Sequence, residues 1–258
     1  MSVIRGLIIA FSIYSKIPVP IFRWEDEDMK YHLIFFPWIG AVIGFLLCGW
    51  RCVADYFLIG QTAYVMVGFA IPIIVTGGFH LDGYMDTVDA LKSYKSKEDK
   101  LSILKDPHIG AFAVISLLML SAVYIGAISL ISVSGLVVFS SSFIASRCLS
   151  AVAVLTFPNA KKDGMLHTFS ATGSKAKSAV LFFIVTELIM CMAYMLYIDL
   201  VFGVAVIVTL AVSMFYYRYR MIKEFGGITG DTAGYFVTVT ETLCAVVVAV
   251  VSVVLNVI

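Results

Sequence analysis

Apolar residues run along this chain in long blocks, not in the short alternations of strands or the one-sided stripes of soluble helices. Seven blocks approach the ~20 residues a helix needs to cross a bilayer: 35–57, 62–79, 109–131, 135–157, 178–198, 200–217 and 234–256. An earlier stretch, 3–20 (VIRGLIIAFSIYSKIPVP), is too short to span and ends in Pro18 and Pro20. It predicts an interfacial or re-entrant helix within an N-terminal segment 1–34, and it lacks the small-residue site of a cleaved signal peptide. Connections near 58–61, 132–134 and 199 contain no Lys or Arg, whereas 1–34, 80–108, 158–177 and 218–233 hold 16 of the 18. The positive-inside rule puts those four on the cytoplasmic side of a cell membrane and, after seven crossings, the C-terminus outside.

Composition agrees with the blocks. Of 258 residues 61% are hydrophobic and only 14% charged, with a mean hydropathy of +0.99; soluble domains carry about 25% charged residues. The expected fold is an all-α polytopic membrane bundle forming one domain over 1–258, with the lipid bilayer as its main partner. A net charge of +1 gives no basic stripe for nucleic acid. Cys48, Cys52, Cys148, Cys191 and Cys244 all lie in apolar runs without a C-x-x-C pair, which favours buried small residues over zinc or disulfides.

The chemistry is expected where acids interrupt this pattern, above all in the active-site loop 77–110. In GGFHLDGYMDTVDA (77–90), Asp82, Asp86 and Asp89 stand at i, i+4 and i+7, within about 60° of one another on a helix. Like charges so placed repel, no lysine intervenes before Lys92, and a divalent cation relieves the strain. Oxygen ligands without His or Cys favour Mg²⁺. A second loop, GGITGDTAG (226–234), repeats Gly-Gly-x-x-x-Asp and places Asp231 as Asp82 is placed. Gly77, Gly78 and Gly227 are expected to free backbone amides for a phosphate. His80 is a candidate substrate contact. Lys92 and Lys105 are candidates for phosphate charge. Asp106, followed by Pro107, either caps the third long helix or adds a further carboxylate.

Charges inside the blocks are few. Arg51 and Asp55, at i and i+4, are expected to pair with each other. Arg147, Glu187 and Glu241 lie at similar depths, roughly 10–15 Å from one end of their helices at 1.5 Å per residue. An isolated buried ion is costly, so Arg147 is expected to meet one of these glutamates or a substrate phosphate. Glu25 to Asp28 reads as a solvated acidic turn, not a metal site.

KIPVP (16–20), GGFHLDGYMDTVDA (77–90), KDPHIGAFA (105–113) and GGITGDTAG (226–234), in this order, resemble the cobalamin synthase family, the adenosylcobinamide-GDP ribazoletransferases. They cover about one sixth of the chain. Lys16 stands where the family often has Arg, Ala90 replaces a usual Gly, and KSYKSKEDK (92–100) lacks the family's arginines. The resemblance implies an enzyme that needs Mg²⁺ and joins adenosylcobinamide-GDP to α-ribazole or its 5′-phosphate, releasing GMP. A ribose hydroxyl attacks the phosphorus on the cobinamide arm. Asp82 and Asp86 would be the first metal ligands, Asp89 a third ligand or the base, and Asp231 the opposite wall. Partners would include other late cobalamin-assembly enzymes and further copies of the chain. CDP-alcohol phosphotransferases expect D-G-x-x-A-R, but Asp82-Gly83 is followed by no Arg. Prenyltransferases expect a second acid-rich loop, and a transporter would hold its ion near the midplane on broken helices.

Overall fold

A computed structural model describes residues 2–20, 22–24, 28–160 and 174–257. The elements in order are α1 (Ser2–Tyr14), a 3₁₀ helix (Asp28–Phe35), α2 (Phe36–Tyr56), α3 (Gln61–Thr76), α4 (Phe79–Lys92), α5 (Lys97–Ile103), α6 (Ala111–Ile128), α7 (Val133–Thr156), α8 (Ser174–Ile198), α9 (Leu200–Phe225) and α10 (Gly230–Val257). Among the described residues six helices, α2 and α6 to α10, are long and apolar enough to cross a membrane, the first extended by the preceding 3₁₀ residues. The bent pair α3 and α4 makes a seventh if taken as one span. This is a multi-pass helical membrane protein.

The central helix is α7, packed against α2, α8, α9 and α10. Phe139 and Phe143 on it are fully buried with Ile39, Ile43 and Phe202. Outward faces of the other spans carry exposed Phe, Leu and Val, such as Phe45, Leu118, Phe182 and Val212, as a helix facing lipid should. The Arg51–Asp55 pair forms as expected, at 2.8 Å.

The feature that shapes the molecule is a 92° bend between α3 and α4. Gly77 and Gly78 both adopt the left-handed conformation, with φ of 64° and 79°, which costs glycine nothing and other residues a good deal. The Gly78 N–H closes α3 onto the Ile73 carbonyl at 3.1 Å. Block 62–79 is thus a 16-residue helix that stops short, and α4 sets off across the end of the bundle.

Three other boundaries depart from the hydropathy blocks. Helix α9 runs on to Phe225 instead of stopping at 217, because nothing between 218 and 225 breaks a helix before Gly226; Arg220 donates to the Tyr216 hydroxyl within the overhang at 2.6 Å. Helix α10 starts four residues earlier than the block, at Gly230. The N-terminal helix ends at Tyr14, before its prolines, and the Lys16 N–H then donates to the Val75 carbonyl at 2.8 Å. Asp28 is not solvated as expected: it is buried and holds Arg5 at 3.0 Å. Residues 25–27 of that acidic run, and 161–173, lie outside the described residues.

Candidate active site

The site is built where α4 crosses the start of α10. Gly83 and Gly234 make the crossing close. A Cβ on Gly83 would stand 2.7 Å from the Asp231 carbonyl oxygen, and one on Gly234 would stand 3.2 Å from the His80 carbonyl oxygen. The Thr238 hydroxyl donates to that His80 carbonyl at 3.1 Å, and Tyr84 stacks on Tyr235 with centroids 5.7 Å apart. The first turn of α10 is fixed by a reciprocal cap: Thr232 N–H donates to Thr229 Oγ1 at 3.2 Å, and Thr229 N–H to Thr232 Oγ1 at 2.8 Å. Asp231, half-buried, sits inside that turn beside α4. The two loops that share a Gly-Gly-x-x-x-Asp pattern therefore meet.

On α4, Asp82 is exposed and Asp86 and Asp89 are half-buried. Among the described residues, no three His, Cys, Asp or Glu side chains converge as a ready metal cage. Mg²⁺ asks for less: one or two carboxylates, with waters and substrate phosphate oxygens completing the octahedron. Asp82 and Asp86, one turn apart toward the open side, fit that smaller demand. Asp89 is set apart from them. Its carboxylate lies so close to Gly110 that a Cβ there would collide with it. That position is the N-cap of α6, where a negative charge is favoured.

Several expected phosphate contacts are committed elsewhere. The Gly78 amide caps α3 and the Gly226 amide caps α9 through the Ile222 carbonyl. Gly227 is buried against the backbone of 158–160, where Ile228 N–H donates to the Pro158 carbonyl at 2.9 Å. At these glycines the chain turns. The Lys92 ammonium donates to Ser116 Oγ at 2.8 Å and lies over the Phe112 ring, toward α6. Asp106 does not cap α6, whose N-cap is Gly110; it accepts from the His108 backbone N–H at 3.0 Å and pairs with the ring Nδ1 at 2.6 Å. Those bonds hold its carboxyl below the usual carboxylate range. Lys105 is exposed on the same turn.

Behind α4 the interior is polar. Arg147, fully buried, donates to Glu241 Oε1 at 2.5 Å and to the Phe143 carbonyl at 2.9 Å, and Ser146 Oγ adds a bond to the same glutamate at 2.8 Å. The expected partner for Arg147 is thus Glu241, while Glu187 instead accepts from Trp38 Nε1 at 3.1 Å. His80, 6% exposed, lines two cavities. Among the described residues its Nε2 has no hydrogen-bond partner, nor do Arg147 Nε and the Tyr124 hydroxyl, which line one of those cavities. Leaving such groups unmatched costs about 1–3 kcal/mol each.

The sequence pattern of the family described as cobalamin-5-phosphate synthase matches residues 6–249, nearly the whole chain. This chain belongs to the cobalamin-5-phosphate synthase family. An adenosylcobinamide-GDP ribazoletransferase of Lachnoclostridium phytofermentans is 37% identical over 97% of this chain and 95% of its own. Enzymes of the same name from Clostridium botulinum strain Alaska E43 and Fusobacterium nucleatum are 31% and 27% identical, each over 92% of this chain and 94% of theirs. No solved structure matches. One residue of the KIPVP motif of this synthase lies beside the bend. Lys16 is exposed, and its side chain lies across the bend where a Cβ on Gly77 would collide with it. Its signal in the sequence is the KIPVP motif, where Lys16 stands in place of the family's frequent Arg.

Proposed function

We propose that this synthase transfers the adenosylcobinamide phosphate group from adenosylcobinamide-GDP to α-ribazole or its 5′-phosphate, with Mg²⁺, as a late step of cobalamin assembly. The observation that carries the reading is the crossing at Gly83, which sets the Asp231 backbone against α4 at the residue next to Asp82 in sequence. Phosphoryl transfer needs positioning and charge neutralisation more than covalent help from the protein. Asp82 and Asp86 would hold Mg²⁺, which when bound neutralises diphosphate oxygens and the departing GMP. Lys16 and Lys105 supply positive charge at the rim. The ribose hydroxyl oxygen forms the new bond to phosphorus as the bond to the GMP oxygen breaks, and the hydroxyl proton passes to a carboxylate. Asp231, on the wall facing α4, would take it; Asp89, beside the start of α6, would hold the KDPHIG turn. The lysine and arginine bias of the connections supports a site facing the cytoplasm, where guanine nucleotide is present, with the C-terminus outside.

The test is incubation of purified protein with Mg²⁺, adenosylcobinamide-GDP and α-ribazole. GMP and a base-bearing corrinoid are expected, and chelation abolishes both. Asp82→Ala and Asp86→Ala lose at least about 100-fold in turnover while remaining folded and membrane-inserted. CMP release from a CDP-alcohol, with no GMP from the corrinoid, would replace this reading with that of a CDP-alcohol phosphotransferase.

A further inference from the structure

A cavity opens on the other side of His80, between α1, the 3₁₀ helix, α2, α4, α7 and α10. Four rings, those of Tyr14, Phe36, Phe79 and His80, line it among aliphatic and small residues. Tyr14 meets Phe36 at 4.5 Å between centroids and Phe79 edge-on at 5.8 Å, and Phe36 lies 5.7 Å from the His80 ring. Small residues, Ala151 and Ala233 among them, keep the space open. Among the described residues, no lysine, arginine or carboxylate lines it.

We infer that this cavity seats the flat heteroaromatic base of the ribazole substrate, a benzimidazole, with His80 as its polar handle. The inference rests on the function proposed above and specifies where that site takes its acceptor. Rings packed edge and face around a void suit a planar bicycle. The walls offer a base with one accessible ring nitrogen the imidazole of a buried histidine, whose Nε2 has no hydrogen-bond partner among the described residues, and as further polar side chains only Ser150 and Tyr14. A diphosphate finds no charge here, guanine too few partners, and a corrin ring with its amide arms too little room. Position agrees as well. Ala233 follows Asp231 by two residues, His80 precedes Asp82 by two, and Tyr14 precedes Lys16 by two. Three chain segments thus lead from the cavity wall to the proposed reaction rim, and a riboside with its base inside presents its sugar there.

The experiment compares wild type with Ala233→Leu, which fills the void, and His80→Phe, which keeps a ring but removes the handle. Equilibrium binding of ribosides bearing a dimethylated benzimidazole, an unsubstituted benzimidazole or an imidazole is measured in detergent without Mg²⁺ or corrinoid, and KM values are measured in the GMP-release assay. Ala233→Leu is expected to weaken the dimethylated riboside at least 10-fold, the imidazole riboside less than 3-fold, and to leave KM for adenosylcobinamide-GDP unchanged. His80→Phe is expected to weaken both benzimidazole ribosides about 10-fold. Equal losses for large and small bases, unchanged binding, or a rise confined to the diphosphate KM would each overturn the assignment. So would retention of phospholipid that Ala233→Leu alone expels, which would make the cavity an acyl-chain slot. Size-selective binding by a wild type that releases no GMP would instead overturn the reaction while sustaining the base site.

Discussion

The close crossing of α4 and α10 can be tested by adding one carbon. In Gly83→Ala the new Cβ would lie 2.7 Å from the Asp231 carbonyl oxygen and 3.0 Å from its Cα, against 3.4 Å for an ordinary contact. Both neighbours are backbone, so no side chain can swing away, and the start of α10 must retreat by about 0.7 Å, the difference between those contacts. Overpacking of this kind costs about 1–3 kcal/mol. Its larger effect falls on catalysis, since a misplacement near 1 Å is worth about 100-fold in rate. We expect kcat for GMP release to fall about 30–100-fold with a smaller change in KM, and the thermal midpoint in detergent to fall by a few degrees. Gly126→Ala is the control. It adds the same carbon within α6, where nothing lies within 4 Å, so turnover should stay within about 2-fold and the helix should gain slightly. If Gly83→Ala keeps kcat within about 3-fold of wild type, the register of Asp231 against α4 does not matter to the chemistry, and the reasoning fails.

Glu241→Ala strands a fully buried guanidinium and should cost about 3–5 kcal/mol of stability, most of it recovered when Glu241→Leu is combined with Arg147→Met; thermal unfolding in detergent checks both, and an unperturbed single variant would contradict a dry pair. Lys16→Ala should raise KM for adenosylcobinamide-GDP about 10-fold, less at high salt, with Lys16→Arg near wild type; an unchanged KM removes Lys16 from the site. The Asp106 carboxyl, held low by His108, keeps its charge above the ordinary carboxylate pKa and loses it only as pH falls through the lowered value. Asp106→Asn should therefore leave the shape of the activity profile between about pH 6 and 8 unchanged, and a profile that shifts there would give this group a titrating role.

What could be read from the chain follows from the range of the forces involved. Spans were legible because lipid imposes one rule on some twenty consecutive residues, and the aspartate face was legible because helix periodicity is local. The pairing of Arg147 with Glu241 was half legible: burial demands a partner, but only the packing of α7 on α10 chooses Glu241 over Glu187. Direction was not legible at all. Hydropathy counts apolar residues without sensing that Gly77 and Gly78 are both left-handed, so block 62–79 reads as a straight crossing when it is a short helix and a right-angle turn. The part the glycines play in that turn was hidden for the same reason. Their freedom is a property of the residue, whereas its use depends on neighbours such as Pro158 and Ile73 that sequence does not place.

That turn matters more than any single side chain. Were α3 to continue straight, Asp82 and Asp86 would stand on a stalk beyond the bundle, each free to keep its own water and poorly placed to share an ion. Laying α4 across the start of α10 brings His80 and Thr238, 158 residues apart, into hydrogen-bond contact and turns one helix into a partition. Carboxylates occupy its open side; His80 and the aromatic rings occupy its closed one. A charged diphosphate and a flat apolar base need such opposite surroundings within a few ångströms of each other, and a bend in an apolar helix supplies both with one pair of glycines.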